Sequence, residues 1–239
     1  RGDRDKADGE GHLGRYGLVS AGVVDDQGRL VGVMMCDDIV DVIQEEAEED
    51  IRGLAGVGDE EISDTVAYTA RSRFTWLLVN LVTAILASGV IALFDATLQQ
   101  MVALAILMPI VASMGGNAGT QTMTVAVRAL ATRELAGYNI RRFVTRELMV
   151  GLINGVVFAI LIGIVAAAWF SDIPLGAVIA AAMIVNLFCA GLFGIAIPVG
   201  LDTVGVDPAV ASTVFLPTVT VVVGVFAFLV RAPVVLLGI

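Results

Sequence analysis

From about residue 74 the chain is a succession of long apolar runs separated by short polar breaks. Phe74–Phe94, Met101–Ala129, Leu148–Phe170, Leu175–Gly200 and Ala209–Val230 each come close to or exceed the roughly 20 residues a helix needs to cross a bilayer. The earlier part has other periods. Two β-branched runs, Val19–Val24 and Leu30–Met35, flank Asp25-Asp26-Gln27-Gly28, which predicts a hairpin. From about Asp37 the spacing becomes helical. Ile39, Val40, Ile43, Ala47 and Ile51 define one side, and Asp38, Asp41, Glu45 and Glu49 the other, with Glu46 and Asp50 beside that acidic stripe. A Gly-rich break at Gly53–Gly58 precedes a second amphipathic segment, Asp59–Arg73, which leads into the first apolar run. The pattern predicts an all-α polytopic membrane protein with five transmembrane helices over 74–239. A small fragment with a disordered edge (Arg1–Gly14) covers 1–36, and an acidic connecting region covers 37–73.

Composition strengthens this reading. At 57% hydrophobic and a mean hydropathy of +0.89, the chain cannot be a single soluble core. The net charge of −10 is concentrated, since 18 of the 24 acidic residues precede Arg71. An acidic head on an apolar body argues against nucleic acid and for cations as partners. Basic residues set the orientation. Arg71 and Arg73 precede the first span, and Arg128, Arg133, Arg141, Arg142 and Arg146 cluster between the second and third, while Asp95–Gln100 and Ser171–Pro174 carry none. The N-terminus is therefore expected inside and the C-terminus outside, with Arg231 in mild disagreement. The turn Leu201–Pro208, with Asp202 and Asp207, is then cytosolic. Cys36 and Cys189 are too far apart in sequence to suggest a disulfide framework, and one histidine, His12, cannot build a histidine metal site. No nucleophile–His–acid set lies in the spans, so an enzyme is not expected.

The chemistry is concentrated in the second span, at Pro109–Thr124, PIVASMGGNAGTQTMT. On a helix, Ser113, Asn117, Gln121 and Thr124 fall within roughly 80° of one another. Gly115, Gly116 and Gly119 gather on a different face, where the absence of Cβ admits another backbone. Polar side chains at membrane depth belong against protein or water. Two readings are open: interhelical hydrogen bonds with small-residue packing, or an oxygen-rich contact for an ion. A second candidate lies in the last span, where Thr213, Pro217 and Thr220 share a helical face. Pro217 has no N–H to offer the carbonyl four residues earlier, so that oxygen needs water, a side chain or an ion; a tolerated kink is the other reading. Asn80, Asn154 and Asn186 occur singly and read as interhelical contacts, and no carboxylate is expected inside any span.

The run PIVASMGGNAGTQ followed by RALATRE resembles the signature of the MgtE magnesium channels. The resemblance extends through VVDDQGRLVGV and its following Asp-Asp, which is similar to the end of a second CBS domain, and through VDPAVAS at the entry to the last span. It implies a homodimer in the cell (inner) membrane, five spanning helices per subunit, a pore lined by the second and fifth, and a connecting "plug" helix. It further implies inward passage of Mg²⁺, with closure when cytosolic Mg²⁺ binds the acidic domains. The chain would then begin partway through the second CBS domain, without the family's N-terminal and first CBS domains. By motif, Gly115, Gly116 and Asn117 match pore positions, as do Thr213 and Pro217 in the last span. Asp207 matches an acid that forms a cytosolic metal site with Glu49 and Asp50, and Asp38, Asp41 and Glu46 match further regulatory ligands. The family's pore acid falls at Val221 here, within PTVTVVVG.

A pore of amide, hydroxyl and carbonyl oxygens suits an ion that keeps its waters, as Mg²⁺ does. GGNAGT lacks the lysine of a phosphate-binding loop, so nucleotide-driven transport is not indicated. Transport of another divalent or a monovalent cation, and a non-conducting sensor or scaffold, are the competing readings. The acidic stripe yields a first prediction. Glu49, Asp50 and Asp207 brought together without metal would repel one another. Millimolar Mg²⁺ is expected to slow proteolysis within Gly53–Gly58, and Asp207→Ala to remove that protection; cleavage rates indifferent to Mg²⁺ would exclude the switch.

Overall fold

The predicted hairpin forms where β-branched runs meet a turn with the right residues. β1 (Ser20–Val24) pairs antiparallel with β2 (Leu30–Met35), Ser20 opposite Met35 and Gly22 opposite Val33, with an irregularity between Val23 and Val24. Asp25 organises the turn. Its Oδ1 accepts from the Gln27 and Arg29 N–H groups, each at 2.9 Å, and Oδ2 accepts from Arg29 Nε at 2.9 Å. Gly28 takes the left-handed conformation, φ 75°, that L side chains rarely adopt. These bonds, that from the Arg29 N–H foremost, hold the Asp25 carboxyl below its usual range. A depressed value means the charged form supports the turn at neutral pH, and that support is lost as pH falls through the lowered value.

The computed structural model describes residues 19–25, 27–35, 48, 51–55, 57, 63–132 and 138–233. Asp38, Asp41, Glu46, Glu49, Asp50 and the N-terminal edge lie outside the described residues. Two compact units divide the chain, Arg1–Arg52 and Gly53–Ile239.

The second unit is helical: α1 (Val66–Ala92), the short α2 (Asp95–Gln100), α3 (Val102–Ala131), α4 (Tyr138–Phe170), α5 (Ile173–Val204) and α6 (Pro208–Ala232). Five of these are long and apolar enough to cross a membrane, in the predicted order. α1 starts at Val66 rather than near Phe74, because no Gly or Pro interrupts 66–74 and the amphipathic segment continues into the span. The turns are chemically marked. The Asp172 carboxylate accepts from the Leu175 N–H at 3.0 Å with Pro174 in the first turn, and the left-handed Gly205 (φ 76°) closes α5. Asp207 then caps α6, accepting from the Ala209 N–H at 2.8 Å, with Pro208 at the first helical position.

α5 is the centre of the bundle. It is apolar all round, the most buried of the five spans, and packs against α3, α4 and α6. At the Asp172 end its Leu175, Val178, Ile179 and Ala182 join Leu104 and Leu107 of α3 and Phe228 and Leu229 of α6. α1 packs against α6 and leaves Phe74, Leu77, Leu81 and Ile85 exposed; α4 likewise exposes Ile153, Ile160 and Ile164. In a bilayer these faces meet lipid tails, which solvate them as well as a protein core would.

Small residues bring α4 and α5 into backbone contact. A Cβ at Gly151 would stand 2.7 Å from the Leu187 carbonyl oxygen, and one at Gly155 would stand 3.1 Å from the Ile184 Cα. One at Gly176 would stand 2.5 Å from the Gly163 carbonyl oxygen. Gly89 of α1 faces open space. Gly151→Ala is therefore expected to lower stability by ~1–3 kcal/mol, the range for overpacking. Gly89→Ala should be neutral or stabilising by up to ~1 kcal/mol from helix propensity. Thermal unfolding in detergent distinguishes the two, and equal shifts would exclude close α4–α5 packing.

Candidate functional site

The polar stretch of α3 divides into two faces. Ser113, Asn117, Thr120, Gln121 and Thr124 are exposed in the single chain. Opposite them Gly115 and Gly119 are buried, the first against the Asn186 side chain and the second 3.2 Å from Leu216 at its Cβ position. Gly116 faces open space, on neither packing contact. Local hydrogen bonds define what the exposed face offers. Thr120 Oγ1 donates to the Gly116 carbonyl and Thr124 Oγ1 to the Thr120 carbonyl, both at 2.9 Å. Each hydroxyl proton is thus spent on the helix, and the lone pairs that remain are acceptors. These two threonines are suited to groups that donate, such as the waters of a hydrated cation.

α6 brings its expected residues to one side. A crevice of about 430 Å³ opens beside Arg73, Trp76 and Asn80 of α1, Thr120 of α3, and Thr213 and Pro217 of α6. A second, of about 400 Å³, continues along the α1–α6 seam past Asn80, Thr83, Ser88, Pro217, Thr218 and Val221. Thr213 and Pro217 therefore line the first crevice and Pro217 and Val221 the second, and Thr120, one turn from Asn117, reaches the first. Thr220 turns inward instead: it is fully buried and donates to the Leu216 and Pro217 carbonyls, both at 3.0 Å. Asp207 is exposed at the start of α6. No group of three His, Cys, Asp or Glu side chains converges among the described residues.

A buried carboxylate stands at the border of the third span: Glu147 of α4, which directly precedes the apolar run from Leu148, has 8% of its surface exposed. Its Oε2 accepts from Thr122 Oγ1 of α3 at 3.2 Å, and its Oε1 from Arg146 Nε at 3.1 Å and Nη2 at 2.8 Å. Two glycines of α5 make the junction possible. A Cβ at Gly191 would stand 3.0 Å from the Glu147 carbonyl oxygen, and one at Gly194 would stand 2.8 Å from Thr122 Cβ. Arg146 places its guanidinium 5.2 Å from the Phe143 ring and keeps most of its surface in solvent. Sequence reasoning missed Glu147 because it directly follows the last arginine of a polar connection. The available signal was the Thr122–Met123 end of the polar stretch, which needed a partner. Of the single asparagines, Asn186 does join helices, while Asn80 and Asn154 are exposed.

The sequence profile of MgtE, a divalent cation transporter family, matches residues 108–230, the stretch that holds both the α3 strip and the α6 crevice. The chain belongs to the MgtE family. It is 37% identical over 205 residues to the magnesium transporter MgtE of Enterococcus faecalis, covering 86% of this chain and 45% of that protein. It is 37% identical over 199 residues to that of Bacillus subtilis (83% and 44%) and 34% identical over 236 residues to that of Thermus thermophilus (96% and 51%). This MgtE-family chain spans about half the length of the curated relatives it matches.

The Thr122–Glu147 contact is testable by a double-mutant cycle in detergent. Thr122→Val and Glu147→Gln are each expected to destabilise by ~1–2 kcal/mol, the range for a hydrogen bond to a charged group. Their combination should cost ~1 kcal/mol less than the sum. Strict additivity would exclude the bond.

Proposed function

We propose that this chain forms the membrane part of a magnesium transporter in which two copies bring α3 and α6 together around a path for hydrated Mg²⁺. The observation that carries this is the exposed row of polar side chains on α3, in which the Thr120 and Thr124 hydroxyls offer only acceptors. Ser113, Asn117, Thr120 and Thr124 are exposed on a helix of membrane length, where lipid cannot satisfy them. A second copy or a water-filled path must face them, and a path between copies supplies both. That the relatives are magnesium transporters supports the choice of ion.

Mg²⁺ sheds water reluctantly, so the path takes it with its waters, which donate to Asn117 and the threonine oxygens. Gly116, with nothing near its Cβ position, leaves the backbone open there, while Gly115 acts from behind, through packing. Thr213, Pro217 and Val221 line the α6 side. The arginine-rich 128–146 region is cytosolic, Mg²⁺ moves inward, and Asp38, Asp41, Glu46, Glu49, Asp50 and Asp207 bind regulatory Mg²⁺ that closes the path.

Val221 contributes no charge. A carboxylate in a low-dielectric path attracts a divalent ion more strongly than neutral oxygens do, so this chain is expected to bind Mg²⁺ weakly and discriminate poorly against Na⁺. Flux in liposomes, with Na⁺ competing, tests the reading. Asn117→Leu should abolish Mg²⁺ flux without loss of assembly. Val221→Asp should lower the half-saturating Mg²⁺ concentration by roughly tenfold, ~1.4 kcal/mol. Selective transport of another cation would replace Mg²⁺ as the substrate, and no flux from reconstituted, folded protein would favour a sensor or scaffold.

A further inference from the structure

Asn186 lies midway along α5 and is fully buried. Its Nδ2 donates to the Val111 carbonyl of α3. The Cβ directions of Gly115 on α3 and Gly224 on α6 both point into its amide, 2.6 Å from Oδ1 in the case of Gly224. Either glycine replaced by a larger residue would collide with the amide. One side chain on the central helix thus touches both helices of the proposed path, and touches each where the chain has no side chain of its own.

Packing alone does not explain an amide here. Its Oδ1 has no hydrogen-bond partner among the described residues. What it meets instead are the Cα–H bonds of two glycines, which are weak donors. An apolar side chain of similar shape would fill the same space without leaving a buried acceptor unsatisfied. The amide adds direction. Val111 precedes Gly115 by one helical turn, so its carbonyl also serves the α3 ladder, and a second donor from α5 fixes the axial position of that turn. Asn117 follows Gly115 by about 3 Å of helix rise, and Val221 precedes Gly224 by about 4.5 Å. The amide therefore supports the path from behind, at the depth where those two residues sit.

We infer that Asn186 is a positioning residue for the ion path: its hydrogen bond to Val111 and its wedge between Gly115 and Gly224 set the placement of Asn117 relative to α6. This rests on the function proposed above. Two variants remove the hydrogen bond and leave the space at least partly filled. Asn186→Leu is near-isosteric, and Asn186→Ala combined with Gly115→Ala returns a methyl group to the vacated space. If one variant fails to assemble, the other carries the test.

Two measurements are made on the full chain in liposomes: the Mg²⁺ concentration for half-maximal flux, and the reaction rate of a cysteine introduced by Asn117→Cys with a water-soluble thiol reagent. The second uses a Cys36→Ser/Cys189→Ser background. The expected result is a rise in half-saturation of about tenfold, as the loss of one hydrogen bond's worth of placement gives. A changed labelling rate at 117 and an undiminished unfolding temperature should accompany it. A side chain that served stability alone would reduce the amount of folded protein, and with it the maximal flux, at constant half-saturation and labelling; that result overturns the inference. Absence of Mg²⁺ flux from the unmodified chain would refute the transport reading. The labelling rates would then still decide whether Asn186 places Asn117.

Discussion

Close approach of backbones around α5 is the constraint from which the rest of the bundle follows. In lipid there is no hydrophobic drive to bring helices together, so contact depends on fit and on the polar groups that fit allows. Gly176, Gly191 and Gly194 of α5, with Gly151, Gly155 and Gly163 of α4, place carbonyl oxygens and Cα atoms where side chains would ordinarily stand. With α4 held that close, Glu147 reaches Thr122 on α3, a helix that α4 itself scarcely touches. With α3 and α6 both against α5, Asn186 reaches Gly115 and Gly224. Each tie is a three-helix junction, and each needs glycine on at least one member.

The two ties differ in kind, and the difference matters for what α3 can do. Glu147 is a charge whose oxygens are both engaged, by Thr122 on one side and Arg146 on the other. Removing one partner of such a set is costly, because it strands the remaining groups. That makes the end of α3 near Thr122 a fixed point. Asn186 makes a single neutral bond, cheaper to break and remake, nearer the middle of the same helix. α3 is therefore held firmly near one end and more lightly beside the polar strip. The exposed oxygens of Asn117 and Thr120 lie between these two supports.

Much of this was legible in the residue pattern. The hairpin followed from β-branched runs around an Asp-rich turn with Gly28, and the five spans from apolar length alone. Of the Thr213, Pro217 and Thr220 face read from spacing, Thr213 and Pro217 do share one side of α6. The divisions that failed are those where a residue's local setting hides its tertiary partner. Glu147 sits beside Arg146 and reads as the polar border of a span; only the glycines of α5, distant in sequence, let it be buried against α3. Gly115, Gly116 and Gly119 read as one packing face, yet the 100° rotation between neighbours sends Gly115 toward Asn186 and Gly116 into open space. Thr220 fell within the same sector as Pro217 but lies just past its edge, inside the core. Periodicity assigns faces to within about a residue, and that margin separates lining from core.

The buried Glu147 does not supply a charge to the proposed path. Glu147 faces Thr122 on the inward side of α3, away from the exposed strip, and its oxygens already accept three hydrogen bonds. A cation drawn to it would have to displace a guanidinium and open the α3–α4–α5 junction. The groups left to face an ion in the proposed path are then neutral: an amide, hydroxyls whose protons are committed to the helix, and the wall at Val221. Neutral acceptors hold a hydrated ion by its waters and release it readily, but they distinguish charge states poorly, because the difference between Mg²⁺ and Na⁺ is felt most by full charges. Strong discrimination by charge in the proposed path would then have to come from acids outside the spans, where 18 of the 24 carboxylates precede Arg71.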